Sequence, residues 1–463
     1  MTATQEISTV MRGLATYISR AGSVALPDAV VENTKHHVLD TLAAMVSGSQ
    51  LVPGRKAISY ARAQGGTPEA TVVGSDIVTT ATNAALANGM LAHADETDDS
   101  HAPSLTHPGC GIVPAALAMG EREHNDGVGF LRAIALGYDV GCRLTMALHA
   151  HDFRRVGHST HSFGPMFGAA AAAGALAGVT YDQARHVLSF TAQQASGVSC
   201  WMRDADHIEK AFDFGGMPAH NGVTAASMVI HGFTGVDDVF SGERNFFDAY
   251  DESARIGKSP DPGVLVHELG TTFEIMNTNI KRWSVGSPIQ APLDGLLELM
   301  RDDGVRADDV ARLVVRVSHQ GANTVDNRDM PSICLQHLCA LMLVDGTVTF
   351  ESAHDEERMR EDAAVRAVRG RIELYGDDEM SRAMPSRQAV LELTLADGSQ
   401  IRRHVRSVLG TAETPMTRAQ VGEKCLPLLS PVLGARRAGR LCETVWALEE
   451  LSDVRVLGQL LVA

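Results

Sequence analysis

The chain has 463 residues, with 40 Lys and Arg against 56 Asp and Glu, a formal charge of −16, 44% hydrophobic residues and 5% aromatic ones. Such a length fills roughly two to three average domains with sizeable cores, and ordinary hydrophobicity with 21% charged residues excludes a disordered chain. The acidic balance argues against nucleic acid or an anionic membrane as a partner, because both need a basic surface.

The opening, MTATQEISTVMRG, has no basic leader ahead of an apolar core, so a soluble cytoplasmic protein is expected. Ile7, Val10, Met11, Leu14 and Ile18 share one face of a helical wheel. A second helix is expected after Leu26-Pro27-Asp28, running through Val31, Val38, Leu42 and Met45. The uncharged stretch Gly164–Val179 is mostly Ala and Gly, too short and too weakly apolar for a membrane span of about 20 residues. It reads as a buried helix whose small side chains admit close neighbours. Thr180-Tyr181-Asp182-Gln183 is a capping-box pattern, followed by Ala184, Val187, Leu188, Ala192 and Ala195 at helical spacing.

After about Pro260 the pattern changes. Residues 310–318 (VARLVVRVS) alternate like a half-buried strand, residues 371–375 (RIELY) form a short one, and residues 389–395 and 400–406 flank the hairpin signal Asp397-Gly398. Helical spacing returns from about Thr417. The expected architecture is mainly α with an inserted α+β domain: a helical domain over residues 1–264, the insertion over 265–408, and a helical return over 409–463 that completes the first domain.

Seven cysteines are scattered without a CxxC pair, and no GxGxxG, GxxxxGK[ST] or HExxH motif occurs. A disulfide framework, a Cys-rich zinc site, an iron–sulfur cluster and the common nucleotide and zinc motifs are therefore not expected.

Candidate chemistry gathers elsewhere. Eight of the 19 histidines lie from His93 to His161, alongside the acidic run His93-Ala94-Asp95-Glu96-Thr97-Asp98-Asp99-Ser100-His101 and then Thr106-His107-Pro108. Imidazoles titrating near neutrality beside carboxylates suit acid–base work or metal binding. Gly157-His158-Ser159-Thr160 feeds the Ala-rich helix, where Ser159 or Thr160 would cap it and His158 would meet a substrate group. Only six lysines stand against 34 arginines; Lys210 and Lys281 occupy the contexts Glu209-Lys210-Ala211-Phe212 and Ile280-Lys281-Arg282-Trp283. A lysine kept in an Arg-rich chain hints at a need for a compact, tunable charge.

Five ordered segments then resemble the MmgE/PrpD family, whose members include 2-methylcitrate dehydratase, cis-aconitate decarboxylase and iminodisuccinate epimerase. They are Asn88-Gly89 with AHADETDDS, Thr106-His107-Pro108, GHSTHSFGPMFGAAAAA, EKAFDFGGMPAHNGVTAA and IKRWSVGSPIQAPLD. The resemblance spans essentially the whole chain. It implies a large helical domain built from both chain ends, a smaller α+β insertion with the active site between them, a homodimer, and a reaction needing neither metal nor organic cofactor. It also implies His107, His158, Lys210 and Lys281 as catalytic residues, with Glu96, Ser100, Arg282 and His337 around the substrate. Glu96 stands where the family usually has Asp, Ser100 where it has Thr, and His337 where cis-aconitate decarboxylase has Tyr.

The resulting expectation is a cofactor-independent lyase or isomerase acting on a small di- or tricarboxylate by α-proton abstraction, with 2-methylcitrate dehydration as the first choice. Decarboxylation of the cis-aconitate type and epimerisation use the same residue set. A metal-dependent hydrolase built on His93, Asp95, Asp98, Asp99, His101 and His107, and a non-catalytic polycarboxylate-binding scaffold, are the alternatives from other classes. Which histidine is acid and which is base stays open.

Overall fold

The computed structural model describes residues 6–463. The first five residues, which open both the segment read for a leader and the first helical domain, lie outside the described residues. The chain forms two compact units. The first takes the residues up to Ala94, Asp98–Thr278 and Arg418–Ala463; the second takes Asp95–Thr97 and Asn279–Thr417.

Unit 1 is helical. Helix α1 (Thr9–Arg20) starts where the Ser8 hydroxyl accepts a hydrogen bond from the Met11 N–H at 3.1 Å, satisfying a donor that the first turn leaves open. It buries Met11, Leu14, Ala15 and Ile18, and Ile7 and Val10 pack partly buried against the same cluster. A large aliphatic side chain buried this way contributes about 1.5–3 kcal/mol. Helix α2 (Asp28–Gly48) follows Pro27, as the sequence indicated, and is buried on nearly every face. Then come α3 (Ala81–Ala92), α4 (Pro108–Glu123), α5 (Gly127–Ala147), α6 (Thr160–Leu176), α7 (Tyr181–Gln194) and α8 (Met217–Ile230). The capping box forms at α7: the Thr180 N–H donates to Gln183 Oε1 at 2.9 Å, and the Gln183 N–H donates to the Thr180 hydroxyl at 3.3 Å.

Small residues set how these helices meet. A Cβ added at Gly141 of α5 would lie 2.8 Å from the Gly164 carbonyl oxygen of α6, and one at Gly164 equally close to the Gly141 oxygen. Backbone therefore rests on backbone, which explains the Ala/Gly-rich α6. Gly89 of α3 and Gly215 approach in the same way, each Cβ colliding with the other residue's carbonyl oxygen. Gly215 belongs to a π turn, Phe212–Gly216, that interrupts the helical run between Ile208–Ala211 and α8. One extra residue in that turn rotates the side chains around it, and such turns recur at functional sites.

Unit 2 carries a four-stranded sheet. Strand β1 (Val310–Ser318) pairs parallel with β2 (Ile372–Asp377) and antiparallel with β3 (Ala389–Leu395), and β3 pairs antiparallel with β4 (Gln400–Val405). The β3–β4 hairpin turns at Asp397-Gly398, where Gly398 takes φ +85°, a conformation that favours glycine. Leu313, Val315 and Val317 project from one face of β1 into a core shared with Leu391 and Leu393, helix Gln290–Asp302 and helix Leu335–Asp345. Among the described residues no helix is long and apolar enough to cross a membrane, and all seven cysteines are free thiols.

Candidate active site

In unit 1 a cluster of imidazoles assembles around one aromatic ring. His93 caps the C-terminus of α3, His107 stands at the N-cap of α4, and His161 lies in the first turn of α6. The π turn delivers Phe214 among them. His161 stacks on Phe214 with centroids 3.8 Å apart and planes 8° apart, and His93 stacks on it at 4.3 Å and 20°. The His107 ring lies 4.9 Å from His93 and 5.3 Å from His161. The Lys210 ammonium sits 5.2 Å from the Phe214 ring centre and 5.7 Å from that of Trp201, within cation–π range of both.

A single carboxylate orders the cluster. Asp98 Oδ2 contacts His93 Nδ1 at 2.9 Å and Asp98 Oδ1 contacts His107 Nδ1 at 3.2 Å. Because a carboxylate accepts, both Nδ1 atoms carry the proton, and in the neutral rings each Nε2 is left as the basic nitrogen. The adjacent Asp99 serves the core instead. It accepts from the Tyr138 hydroxyl at 2.5 Å and the Gly109 N–H at 3.0 Å, and its Oδ2 lies 2.8 Å from His37 Nδ1. His161 is buried with no hydrogen-bond partner at Nδ1. Burial first, then the neighbouring His107, holds its pKa well below the usual imidazole value, so it is neutral at physiological pH.

Beneath the cluster, Ser159 occupies the N-cap of α6 but does not cap it through its side chain. Its hydroxyl donates to Asp213 and accepts from the Trp201 indole N–H at 3.1 Å. Burial pushes the Asp213 carboxyl up to about 7, with the Ser159 hydrogen bond opposing. The hydroxyl that the sequence offered as a helix cap is spent on a buried acid, Asp213.

His158 goes elsewhere. Its ring stacks on Phe153 at 4.1 Å and 9°, and its Nε2 meets Glu252 Oε1 at 2.7 Å. That hydrogen bond draws the Glu252 pKa below the ordinary value. Of the sequence candidates in unit 1, the structure brings His107 and Lys210 to the same ring, leaves His158 in a separate aromatic group, and buries Ser100 in the segment that follows Asp99. His93 and Asp98, named in the sequence only as possible metal ligands, join the cluster, as do His161, Asp213 and Phe214, which had no assigned role. The signal for Phe214 was its place in FDFGG, directly before the glycine that allows backbone contact.

Unit 2 presents a second polar group. The Lys281 ammonium donates to the Glu96 carbonyl at 2.7 Å and pairs with Glu96 Oε2 at 3.9 Å, both side chains being buried. Next to it, Asp95 accepts from the Thr97 N–H at 2.9 Å and the Thr97 hydroxyl at 2.6 Å, and pairs with His354 Nε2 at 3.1 Å. Burial lowers the His354 pKa, but the Asp95 carboxylate outweighs it and the net shift is upward. Arg282 is committed to Asp294 at 3.2 Å and to the Trp283 face at 4.8 Å. Gln290 braces the lysine segment, accepting from the Trp283 N–H at 3.0 Å and donating to the Trp283 and Val285 carbonyls at 2.9 and 3.0 Å. His337 is fully buried in helix Leu335–Asp345 with neither ring nitrogen hydrogen-bonded, and burial, then Arg369, lowers its pKa to about 4.

His93, Asp98 and Cys110 offer metal-ligand atoms within 4.8 Å of one another. The donors are already spent, however. Both Asp98 oxygens hold imidazoles, and the Cys110 thiol donates to the His107 carbonyl at 3.1 Å and the Phe214 carbonyl at 3.3 Å. A thiol donating to carbonyls is not the thiolate a metal takes. The set fits a proton-handling network better than a coordination sphere.

The chain thus combines a helical unit, in which a buried carboxylate–imidazole network lies beside Lys210, with an α+β unit. The MmgE/PrpD N-terminal domain matches residues 12–258 and the MmgE/PrpD C-terminal domain matches residues 283–450. The chain belongs to the MmgE/PrpD family, a family of lyases such as dehydratases and decarboxylases acting on carboxylates. It is 25% identical over 456 residues to cis-aconitate decarboxylase of Homo sapiens, covering 94% of this chain and 91% of that protein. It is also 25% identical to the cis-aconitate decarboxylase-like protein oryM of Aspergillus oryzae, over 93% of each chain. To cis-aconitate decarboxylase of Mus musculus it is 24% identical, over 94% of this chain and 90% of that protein.

Proposed function

We propose that this protein is a cofactor-independent lyase for a small polycarboxylate, with cis-aconitate as the first substrate to test and 2-methylcitrate as the second. The observation that carries the reading is Asp98 holding His93 and His107 by their Nδ1 atoms on the Phe214 ring, next to Lys210. In this reading the Nε2 of His107 moves a proton at a carbon next to a carboxylate, and Asp98 stabilises the imidazolium that forms. Removing such a proton builds negative charge on carboxylate oxygens, and Lys210, beside the Phe214 ring, stabilises it. Decarboxylation takes no proton from carbon: the electron pair of the breaking carbon–carbon bond passes onto the remaining conjugated carboxylate as carbon dioxide leaves, and a histidine that enters the step protonated gives its proton to carbon. In dehydration the proton goes to the departing hydroxyl. The curated relatives favour the first outcome, since their names carry cis-aconitate decarboxylation.

The test is proton NMR in deuterated water on chelator-treated protein given cis-aconitate, 2-methylcitrate or iminodisuccinate. Itaconate from cis-aconitate establishes the decarboxylase. Replacement of the 2-methylcitrate methyl doublet by an allylic methyl singlet establishes the dehydratase, and deuterium entering iminodisuccinate without a new product establishes an epimerase. Silence on all three from folded protein, or activity only with added metal, refutes the proposal.

A further inference from the structure

The Trp201 ring carries a second cation besides Lys210. The Arg154 guanidinium lies 5.4 Å from its centre and the Lys210 ammonium 5.7 Å, both within cation–π range. Arg154 belongs to the short helix Ala150–Arg155 of unit 1 and is half-buried. The basic groups of this region have acids. Arg155 and Lys258 pair with Asp152 at 3.3 and 3.1 Å, and Arg255 and His158 with Glu252 at 3.1 and 2.7 Å. Among the described residues Arg154 pairs with no carboxylate, in a chain that has 56 acidic residues against 40 basic ones. Its hydrogen bond goes to the Met202 sulfur at 3.8 Å, a weak acceptor. A ring attracts a guanidinium without filling its forked N–H donors, as a carboxylate would.

The indole that holds Arg154 is itself fixed. Trp201 is buried, its N–H donates to the Ser159 hydroxyl at 3.1 Å, and Ser159 donates to Asp213. Its ring meets Phe214 edge-on at 4.6 Å and 90°, and His161 at 5.5 Å and 83°. One aromatic ring therefore joins Arg154 to the imidazole cluster, wholly within unit 1. Both cation distances meet at the same ring centre, so Arg154 and Lys210 lie no more than about 11 Å apart. With an ion-pair distance of up to about 4 Å at each end, two carboxylates a few carbons apart bridge them.

We propose that Arg154 holds a substrate carboxylate other than the one served by Lys210, which makes it a specificity-determining residue for ligands bearing two or more carboxylates. The assignment rests on the polycarboxylate reading above. The guanidinium offers two parallel N–H donors to the two oxygens of a carboxylate, a match that a lysine does not reproduce.

The experiment uses the full-length protein and its Arg154→Gln and Arg154→Lys variants. Tricarballylate, an unreactive tricarboxylate, and butyrate are titrated by calorimetry, and turnover is followed on cis-aconitate. Arg154→Gln is expected to shrink the preference for tricarballylate over butyrate by about 10- to 100-fold and to raise KM by a similar factor, with kcat within about threefold of wild type. Arg154→Lys keeps the charge and should recover only part of the loss. An unchanged preference in folded Arg154→Gln overturns the assignment. So does a fall in kcat with unchanged KM and affinity, which would make Arg154 a support for Trp201. Should Arg154→Gln fail to fold, Arg154→Lys decides, and wild-type tricarballylate affinity in it overturns the assignment. Wild-type protein that neither binds tricarballylate nor turns over any polycarboxylate overturns this inference together with the proposed function. Wild-type turnover with unaltered KM in Arg154→Gln overturns this inference alone.

Discussion

Replacing Asp213 by Asn should make the protein more stable at neutral pH and leave it nearly unchanged in acid. The side chain is buried, and burial moves its carboxyl from 3.8 to about 7. A carboxyl whose folded pKa is raised costs stability as pH climbs from its unfolded value to its folded one, because the unfolded chain releases the proton more readily. Each pKa unit corresponds to about 1.4 kcal/mol, so the full cost above about pH 7 is about 4 kcal/mol, falling to about 2 kcal/mol near pH 5. Asn keeps an oxygen to accept from Ser159 and has no proton to lose. The stability difference, variant minus wild type, should therefore rise by about 1.4 kcal/mol per pH unit between about pH 4 and pH 7, then level off. Urea unfolding followed by far-ultraviolet circular dichroism at several pH values measures it. Glu121 and Asp139, also pushed up to about 7 chiefly by burial, titrate in the same window, but they do so in both proteins and cancel in the difference. A difference that is flat with pH, or that falls as pH rises, refutes the argument.

Two further substitutions address the histidines. His107→Phe keeps a ring beside Phe214 but removes both nitrogens, and is expected to lower kcat by about 100-fold or more. In His158→Phe the ring on Phe153 stays and the Glu252 contact is lost, so kcat should remain within about tenfold while the melting temperature falls by a few degrees. Collapse of turnover in His158→Phe with a normal melt would transfer the role to His158. Asp98→Asn should cut turnover by about 100-fold or more, since an amide can present its NH2 to a ring nitrogen and release the Nδ1–H tautomer. Full activity in that variant, read by the same cis-aconitate assay, would remove Asp98 from the mechanism.

Much of the architecture is written in residue spacing. The apolar stripe of α1, the capping box at α7 and the Asp397-Gly398 hairpin depend on contacts within a few residues, so periodicity and turn chemistry disclose them. The parallel pairing of β1 with β2 is different. It joins Leu313 to Ile372 across intervening helices, and no local pattern names a strand's partner. The site is legible by residue type and not by direction. Histidines and lysines stood out in the sequence, yet His158 and His161 lie three positions apart and only the course of α6 decides which one reaches Phe214. The π turn was equally hidden, because shifting a hydrogen bond by one residue leaves composition and hydropathy as they were. Ser159 shows the same limit: its position as first residue before a helix is readable, while its buried partner Asp213 is 54 residues away.

The neighbours Asp98 and Asp99 place two jobs on consecutive residues. One oxygen pair faces the imidazoles, and the next is anchored by Tyr138, His37 and the start of α4. The segment therefore behaves like a reading frame. Deleting one residue between His93 and Asp98 would bring Asp99 to the histidines and leave Ser100 facing the core, while inserting one would bring Asp98 to the core and leave Thr97 facing the histidines. Side-chain chemistry at Glu96 or Ser100 can drift to suit new substrates, while the count of residues around them cannot. In this protein the length of the loop matters in its own right, and chimeras that exchange the segment with relatives should tolerate altered letters far better than an altered number of them.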